Sequence, residues 1–103
     1  MAATEIEAKL ISYTTTLNAY KQEITTETPK DIFAIMDDIK RAEFYNAGRS
    51  GLSPEFMLTV ADIDYDGELE CEVDSKRYAI YRTYKVDKDY IELYCTKKLG
   101  VEP

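Results

Sequence analysis

The clearest periodicity in this chain lies in its second half, where Leu69, Cys71 and Val73 alternate with Glu68, Glu70 and Glu72. Successive side chains of a strand point to opposite faces, so the pattern predicts a strand with an apolar inner face and a wet acidic outer one. Asp74-Ser75-Lys76 has turn chemistry. Beyond it, Arg77 to Tyr84 sets Tyr78, Ile80, Arg82 and Tyr84 on one face and Ala79, Tyr81 and Thr83 on the other, so the two segments read as a hairpin. Val86-Asp87-Lys88-Asp89 supplies the next turn. From Tyr90 to Lys97 the alternation resumes, with Ile91, Leu93 and Cys95 inward and Glu92 and Thr96 outward. This predicts a third antiparallel strand, stopped by Gly100.

In the first half, Glu7 to Leu17 is rich in Thr, Tyr and Ile and predicts a strand. Asn18 to Glu27 is polar and Thr-rich, which suggests a long hairpin connection. Ile32 to Ile39 is an apolar run after Pro29 and suits a strand, although Ile32 to Arg41 also has helical spacing. Glu55 to Ile63 returns as a strand. Residues 1 to 6 and 100 to 103 are expected to be loose ends. The fold class that follows is mainly β, in one domain spanning 1–103. About six short antiparallel strands close into a small barrel or sandwich.

Between the halves, Arg41 to Leu52 is apolar and aromatic yet interrupted by Gly48 and Gly51, and Pro54 follows. Each glycine costs a helix about 1 kcal/mol. The segment is therefore expected to be a loop with one short helical turn at Ala42 to Ala47, projecting Phe44, Tyr45 and Leu52 either onto the core or toward a partner.

Composition narrows the function. A hydrophobic share of 45% with 32% charged residues is that of a globular chain. The formal net charge of -7 provides no basic stripe for sequence readout of DNA. An acidic wall would still let DNA slide past without adhering. No apolar run has membrane-spanning length, and Met1 to Leu10 carries acids where a signal peptide would have its apolar region. Assembly in the cytosol is therefore expected. Cys71 and Cys95 form neither a CxxC pair nor a zinc set, and buried free thiols are expected.

Candidate chemistry is sparse. Asp62-Ile63-Asp64-Tyr65-Asp66-Gly67 begins like an EF-hand loop, but the twelfth position is Val73 where a bidentate Glu is needed, and strands flank it. A solvated acidic turn, with Asp66-Gly67 supplying positive φ, is the reading adopted. Without histidine, Ser50, Ser53 and the thiols lack their usual base, and Gly48 and Gly51 lack the Lys-Ser/Thr of a phosphate loop. No catalytic, cofactor-binding or metal residue is assigned, and an enzyme is not expected. Nine tyrosines against three phenylalanines give side chains with an apolar body and a polar tip. Tyr78, Tyr84 and Tyr90 are expected to cap the barrel, and some tyrosines to face partners.

Five pieces of the chain, in this order and spacing, then bear on family: Ile39-Lys40-Arg41-Ala42-Glu43-Phe44-Tyr45-Asn46-Ala47, Gly51-Leu52-Ser53-Pro54, Tyr65-Asp66-Gly67-Glu68, Tyr78-Ala79-Ile80-Tyr81-Arg82-Thr83-Tyr84 and Asp89-Tyr90-Ile91-Glu92-Leu93. Over about Ile32 to Gly100 the chain resembles the head-tail adaptor, or head-closure (stopper), proteins of long-tailed double-stranded-DNA phages and prophages. The first 30 residues lack the Gly-containing first hairpin of that family. The resemblance implies a small β-barrel, monomeric when free, that joins a homo-oligomeric ring beneath the portal. It implies contact with packaged DNA without sequence specificity, and with a portal or adaptor protein and a tail protein. It implies a virion location after assembly in the bacterial cytoplasm, and no membrane.

In that family the loop between the second and third strands projects into the channel and takes part in closure. By position it maps onto Arg41 to Glu55, with Arg41, Glu43, Phe44, Tyr45, Asn46, Gly48, Arg49, Gly51 and Leu52 as the gating and partner-contact residues. Such a loop is expected to order only in the assembled ring. The alternatives are a tail-completion or other tail connector protein and, outside the virion, a calcium-binding module.

Overall fold

The computed structural model describes residues 3–97. Its strands are β1 (Thr4–Leu17), β2 (Glu23–Asp37), β3 (Pro54–Ala61), β4 (Glu70–Val73), β5 (Lys76–Lys85) and β6 (Tyr90–Lys97), with one helix, α1 (Arg41–Arg49), between β2 and β3. The strands close into an antiparallel barrel in the order β1-β2-β3-β6-β5-β4. Of the two architectures the pattern allowed, the barrel is the one formed.

Its interior is the apolar set that alternation selects. Ala8 and Leu10 of β1, Ile32 and Ala34 of β2, Phe56, Leu58 and Val60 of β3, Cys71 and Val73 of β4, Ile80 of β5, and Ile91, Leu93 and Cys95 of β6 form one buried cluster. Tyr78 packs against it, its ring edge-on to Phe56 with centroids 4.6 Å apart. Tyr84 and Tyr90 remain about half exposed at the surface. The β4–β5 hairpin turns through Asp74 and Ser75, both with positive φ, in a two-residue connection that matches strand twist.

Several expectations are corrected. Residues 4 to 6 are not a loose end, because Thr4, Glu5 and Ile6 pair with Met36, Ile35 and Ala34. The connection after β1 is short, since the Thr-rich stretch from Glu23 onward is already β2; β-branched residues favour strand over loop. Ile32 to Asp37 is strand and not helix. The alternation of Leu69 and Glu68 is inverted: Leu69 is 72% exposed and Glu68 only 8%. The regular β4 ladder starts at Glu70, and Glu68 turns in to meet Lys30 (Nζ–Oε2 3.1 Å) and to accept the Asp66 N–H (2.7 Å). Strand β3 ends at Ala61, and a short 3-10 turn covers Asp62–Asp64. Gly67 does supply positive φ, at 87°. The stop assigned to Gly100 and the loose end at 100 to 103 lie outside the described residues.

Two bulges reset the facing of side chains. In β3, Glu55 is an extra residue between the pairs Pro54–Thr96 and Phe56–Cys95. In β5, Tyr81 is the extra residue between Ile80–Cys95 and Arg82–Tyr94. Directly opposed residues share a face. Hence Arg82 and Tyr84 point outward with Tyr94 and Glu92, and Thr83, although exposed near the strand's end, shares the face of Leu93, the reverse of what unbroken alternation predicts for residues 82–84.

The β1–β2 ladder runs continuously from Thr4–Met36 to Leu17–Glu23, but β1 meets β4 only over Lys9–Ile11 and β2 meets β3 only over Ala34–Asp37. Ser12–Leu17 and Glu23–Thr28 therefore form a two-stranded arm. At about 3.3 Å per residue it extends roughly 20 Å past the barrel, in keeping with a long axis of 52 Å.

Candidate functional site

The segment singled out by its glycines is an ordered helix. The loop expected over Arg41 to Leu52 is corrected: α1 spans Arg41–Arg49, well beyond a single turn, and Gly48 lies inside it. Its start carries no side-chain cap; Lys40 contributes only its carbonyl, which accepts the Phe44 N–H at 2.9 Å. Glu43 in the first turn and Arg49 in the last both suit the helix dipole. Its end is where the second glycine acts. The Leu52 N–H reaches the Ala47 carbonyl and the Gly51 N–H reaches that of Gly48, each at 3.0 Å, with Gly51 at φ 81°. This is a Schellman stop, for which a left-handed glycine is the usual requirement. The glycine read as breaking the helix is the residue that finishes it.

One polar contact fixes α1 to the barrel wall. The Glu43 carboxylate accepts the Tyr81 hydroxyl at 2.7 Å and the Arg82 Nε at 3.3 Å, while Arg82 Nη2 reaches its other oxygen. Consecutive strand residues normally diverge; the bulge at Tyr81 lets both converge on one acceptor. The Arg82 guanidinium also lies over the Tyr94 ring, 4.2 Å from its centroid, and the Tyr94 hydroxyl donates to Glu92 at 2.7 Å. The hydrogen bond from Arg82 is the main reason the Glu43 carboxyl sits below its ordinary range, against the opposing effect of burial. Burial, reinforced by the bond to Glu92, pushes Tyr94 up to about 12.

Apolar packing completes the dock. Met57 and Tyr94 oppose each other on the outer face of β3 and β6, yet both are buried, with α1 lying against β3 and Ala47 as its buried residue. After the helix, the Ser53 carbonyl accepts the Thr96 hydroxyl at 2.9 Å, so Thr96 is outward by register but covered.

What α1 leaves exposed is an aromatic pair. Phe44 and Tyr45 are 50% and 66% exposed, their rings edge-on with centroids 6.5 Å apart. Arg41, Asn46, Gly48, Arg49 and Gly51 are also exposed, and Leu52 is half-buried. Of the residues singled out in the sequence, Glu43 thus anchors, Leu52 and Gly51 terminate, and Phe44, Tyr45, Asn46 and the two arginines face outward. Beside the Glu43 contact lies a cleft of about 470 Å³ lined by Glu43, Asn46, Ser50, Leu52, Tyr81 and Arg82. The barrel half of the clamp, Tyr81, Arg82 and Tyr94, was missed. The available signal was Arg82 itself, a charge on what alternation made an inward face, which is a reason to suspect a bulge.

Cys71 and Cys95 are both buried free thiols, Sγ to Sγ 3.7 Å. They stand on β4 and β6 with β5 between them. The Sγ separation of 3.7 Å is well beyond the roughly 2.05 Å of a disulfide bond. Among the described residues no three His, Cys, Asp or Glu side chains come together in a way that could hold a metal ion. No described helix is long and apolar enough to cross a membrane.

No protein-family model matches the chain, and no curated protein matches it in sequence.

Proposed function

We propose that this chain is a virion structural protein, a head-tail adaptor or head-closure subunit that forms a ring beneath a phage portal, retains packaged DNA and receives the tail. The observation that carries the reading is α1. It occupies the connection between the second and third strands of a small closed barrel, and it presents Phe44 and Tyr45 to solvent while Glu43 holds it down. An exposed aromatic pair on a fixed helix is contact chemistry, because aromatic residues are enriched where protein surfaces meet. Arg41 and Arg49, at the two ends of α1, would rest on phosphates, and the acidic remainder of the chain would keep DNA from adhering. Because α1 is docked in the single chain, closure in this reading is a movement of a preformed helix and not the ordering of a loop.

The test uses portal-bearing, DNA-filled heads that lack this protein. Added chain should form a ring of density below the portal and protect the DNA from leakage, and a Phe44→Asp, Tyr45→Asp double variant should fold but lose both effects. Binding to isolated tails in place of heads would transfer the chain to the tail-completion class. Binding to neither would overturn the reading.

A further inference from the structure

The two edges of the β1–β2 arm differ in chemistry. The β2 edge, from Glu23 to Phe33, carries Glu23, Glu27, Pro29, Lys30 and Asp31, the charges and proline by which proteins blunt open strands. The β1 edge, Ser-Tyr-Thr-Thr-Thr-Leu from Ser12 to Leu17, carries no charge and no proline, and every residue after Ser12 has high β-propensity or is apolar. Among the described residues no strand pairs with it beyond Ile11. In a chain of net charge -7, where copies repel one another, this is an uncharged strand with an open ladder.

We propose that the β1 edge pairs with the same edge of a second copy, antiparallel, about a two-fold axis at Thr15. A two-fold normal to the sheet keeps each side chain on its own face, so opposed residues must have the same parity. Centring on Thr15 sets Tyr13 opposite Leu17 twice and Thr14 opposite Thr16 twice. Tyr13 and Leu17 are the exposed apolar side chains of this strand, 46% and 65% exposed, and this register covers both with each other. Aromatic–aliphatic and Thr–Thr pairs directly across a ladder are favourable. The incoming strand also has room where β4 ends: a cavity of about 500 Å³ lies beside the arm's root, with Ile11, Tyr13 and the exposed Leu69 among its walls. A bare ribbon is marginal in water, and a third and fourth strand are what it lacks. The pairing does not rest on the ring reading, since an edge that meets itself closes a dimer, whereas a ring needs head-to-tail contacts.

Sedimentation equilibrium of the full chain should show a monomer–dimer equilibrium. Thr15→Lys, which sets two ammonium groups directly opposite each other, should weaken it by about tenfold or more, whereas Thr25→Lys on the guarded strand should not. Thr15→Cys gives an independent readout, because the native thiols are buried: mild oxidation should link Thr15→Cys into a dimer faster than a Ser75→Cys control. A chain that stays monomeric at high micromolar concentration, an assembly indifferent to Thr15→Lys, or equal cross-linking of the two cysteine variants would overturn the proposal.

Discussion

Helix α1 and the β1–β2 arm both display aromatic residues, Phe44 and Tyr45 on one and Tyr13 and Tyr20 on the other, but they are held in different ways. The helix is short, uncapped at its start and contains a glycine, so its own backbone gives it little stability; it persists because Glu43, Ala47 and the Leu52 turn attach it to the barrel. The arm has the opposite balance. Its ladder is long and continuous, and attachment is confined to its root, where Arg77 grips Glu27 through both nitrogens (3.0 and 3.1 Å) and also meets Glu72 (3.2 Å). One surface is fixed by tertiary contacts, and the other by its own ladder with side-chain contacts only at its root, where the Tyr13 hydroxyl also donates to Glu70 at 2.7 Å. The two regions should therefore fail separately.

The largest effect should abolish the difference. Leu58 is fully buried at the centre of the barrel, and Leu58→Ala should cost about 3 kcal/mol, lowering the urea midpoint and releasing helix and arm together. Next comes the arm's root. Lys30 of β2 meets the buried Glu68, and Lys30→Met strands that carboxylate, at about 2 kcal/mol once the lysine's partial exposure is allowed for. Amide exchange should rise in the arm and in Asp66 to Glu70, with α1 unchanged.

Glu43→Gln should do the converse, costing about 1–2 kcal/mol and deprotecting α1 alone. Acid should mimic it. Because the Glu43 carboxyl is depressed in the fold, its contribution is present above the ordinary value of 4.5 and is lost as pH falls through the folded value. Protection factors in α1, taken relative to the intrinsic rate at each pH, should therefore fall below about pH 4.5 before the barrel melts.

The smallest effects have opposite signs within one helix. Gly51→Ala should lose about 1 kcal/mol because its φ is positive, and Gly48→Ala should gain about 0.5–1 kcal/mol, since the added Cβ meets nothing within 4 Å and helix propensity improves. Equal responses of the two variants in thermal melts would show that the helix end is not the one described.

Alternation made most of the barrel legible, because a strand with one dry face records its facing directly: Cys71, Val73, Ile91, Leu93 and Cys95 all lie where the pattern put them. Legibility ended at three kinds of place. Glu68 and Leu69 precede the ladder, where period two no longer applies and a lysine contributed by β2 decides which side chain turns in. Helix α1 has Lys40 where a capping side chain would have announced it, and its stop signal at Gly51 reads equally well as a break. The clamp at Glu43 is a contact between residues far apart in the chain, made by a bulge whose local trace is the charge of Arg82 at a position that alternation turns inward. The candidate surface residues, Glu43 among them, came from the glycine-broken aromatic segment and the family resemblance, whereas the barrel half of their anchor did not.

The single inserted residue at Tyr81 also sets how the sequence can vary in length. Upstream of it β5 faces one way, and downstream the other, so the strand tolerates substitution far better than a change of count. Closing the bulge with Tyr81 retained, so that Tyr81 paired with Tyr94, would set Arg82 opposite Leu93, drive it toward the interior and detach α1 without touching a residue of the helix. Relatives of this chain should therefore keep the spacing between the Asp74-Ser75 turn and the arginine constant, and shift insertions to the Val86 to Asp89 turn.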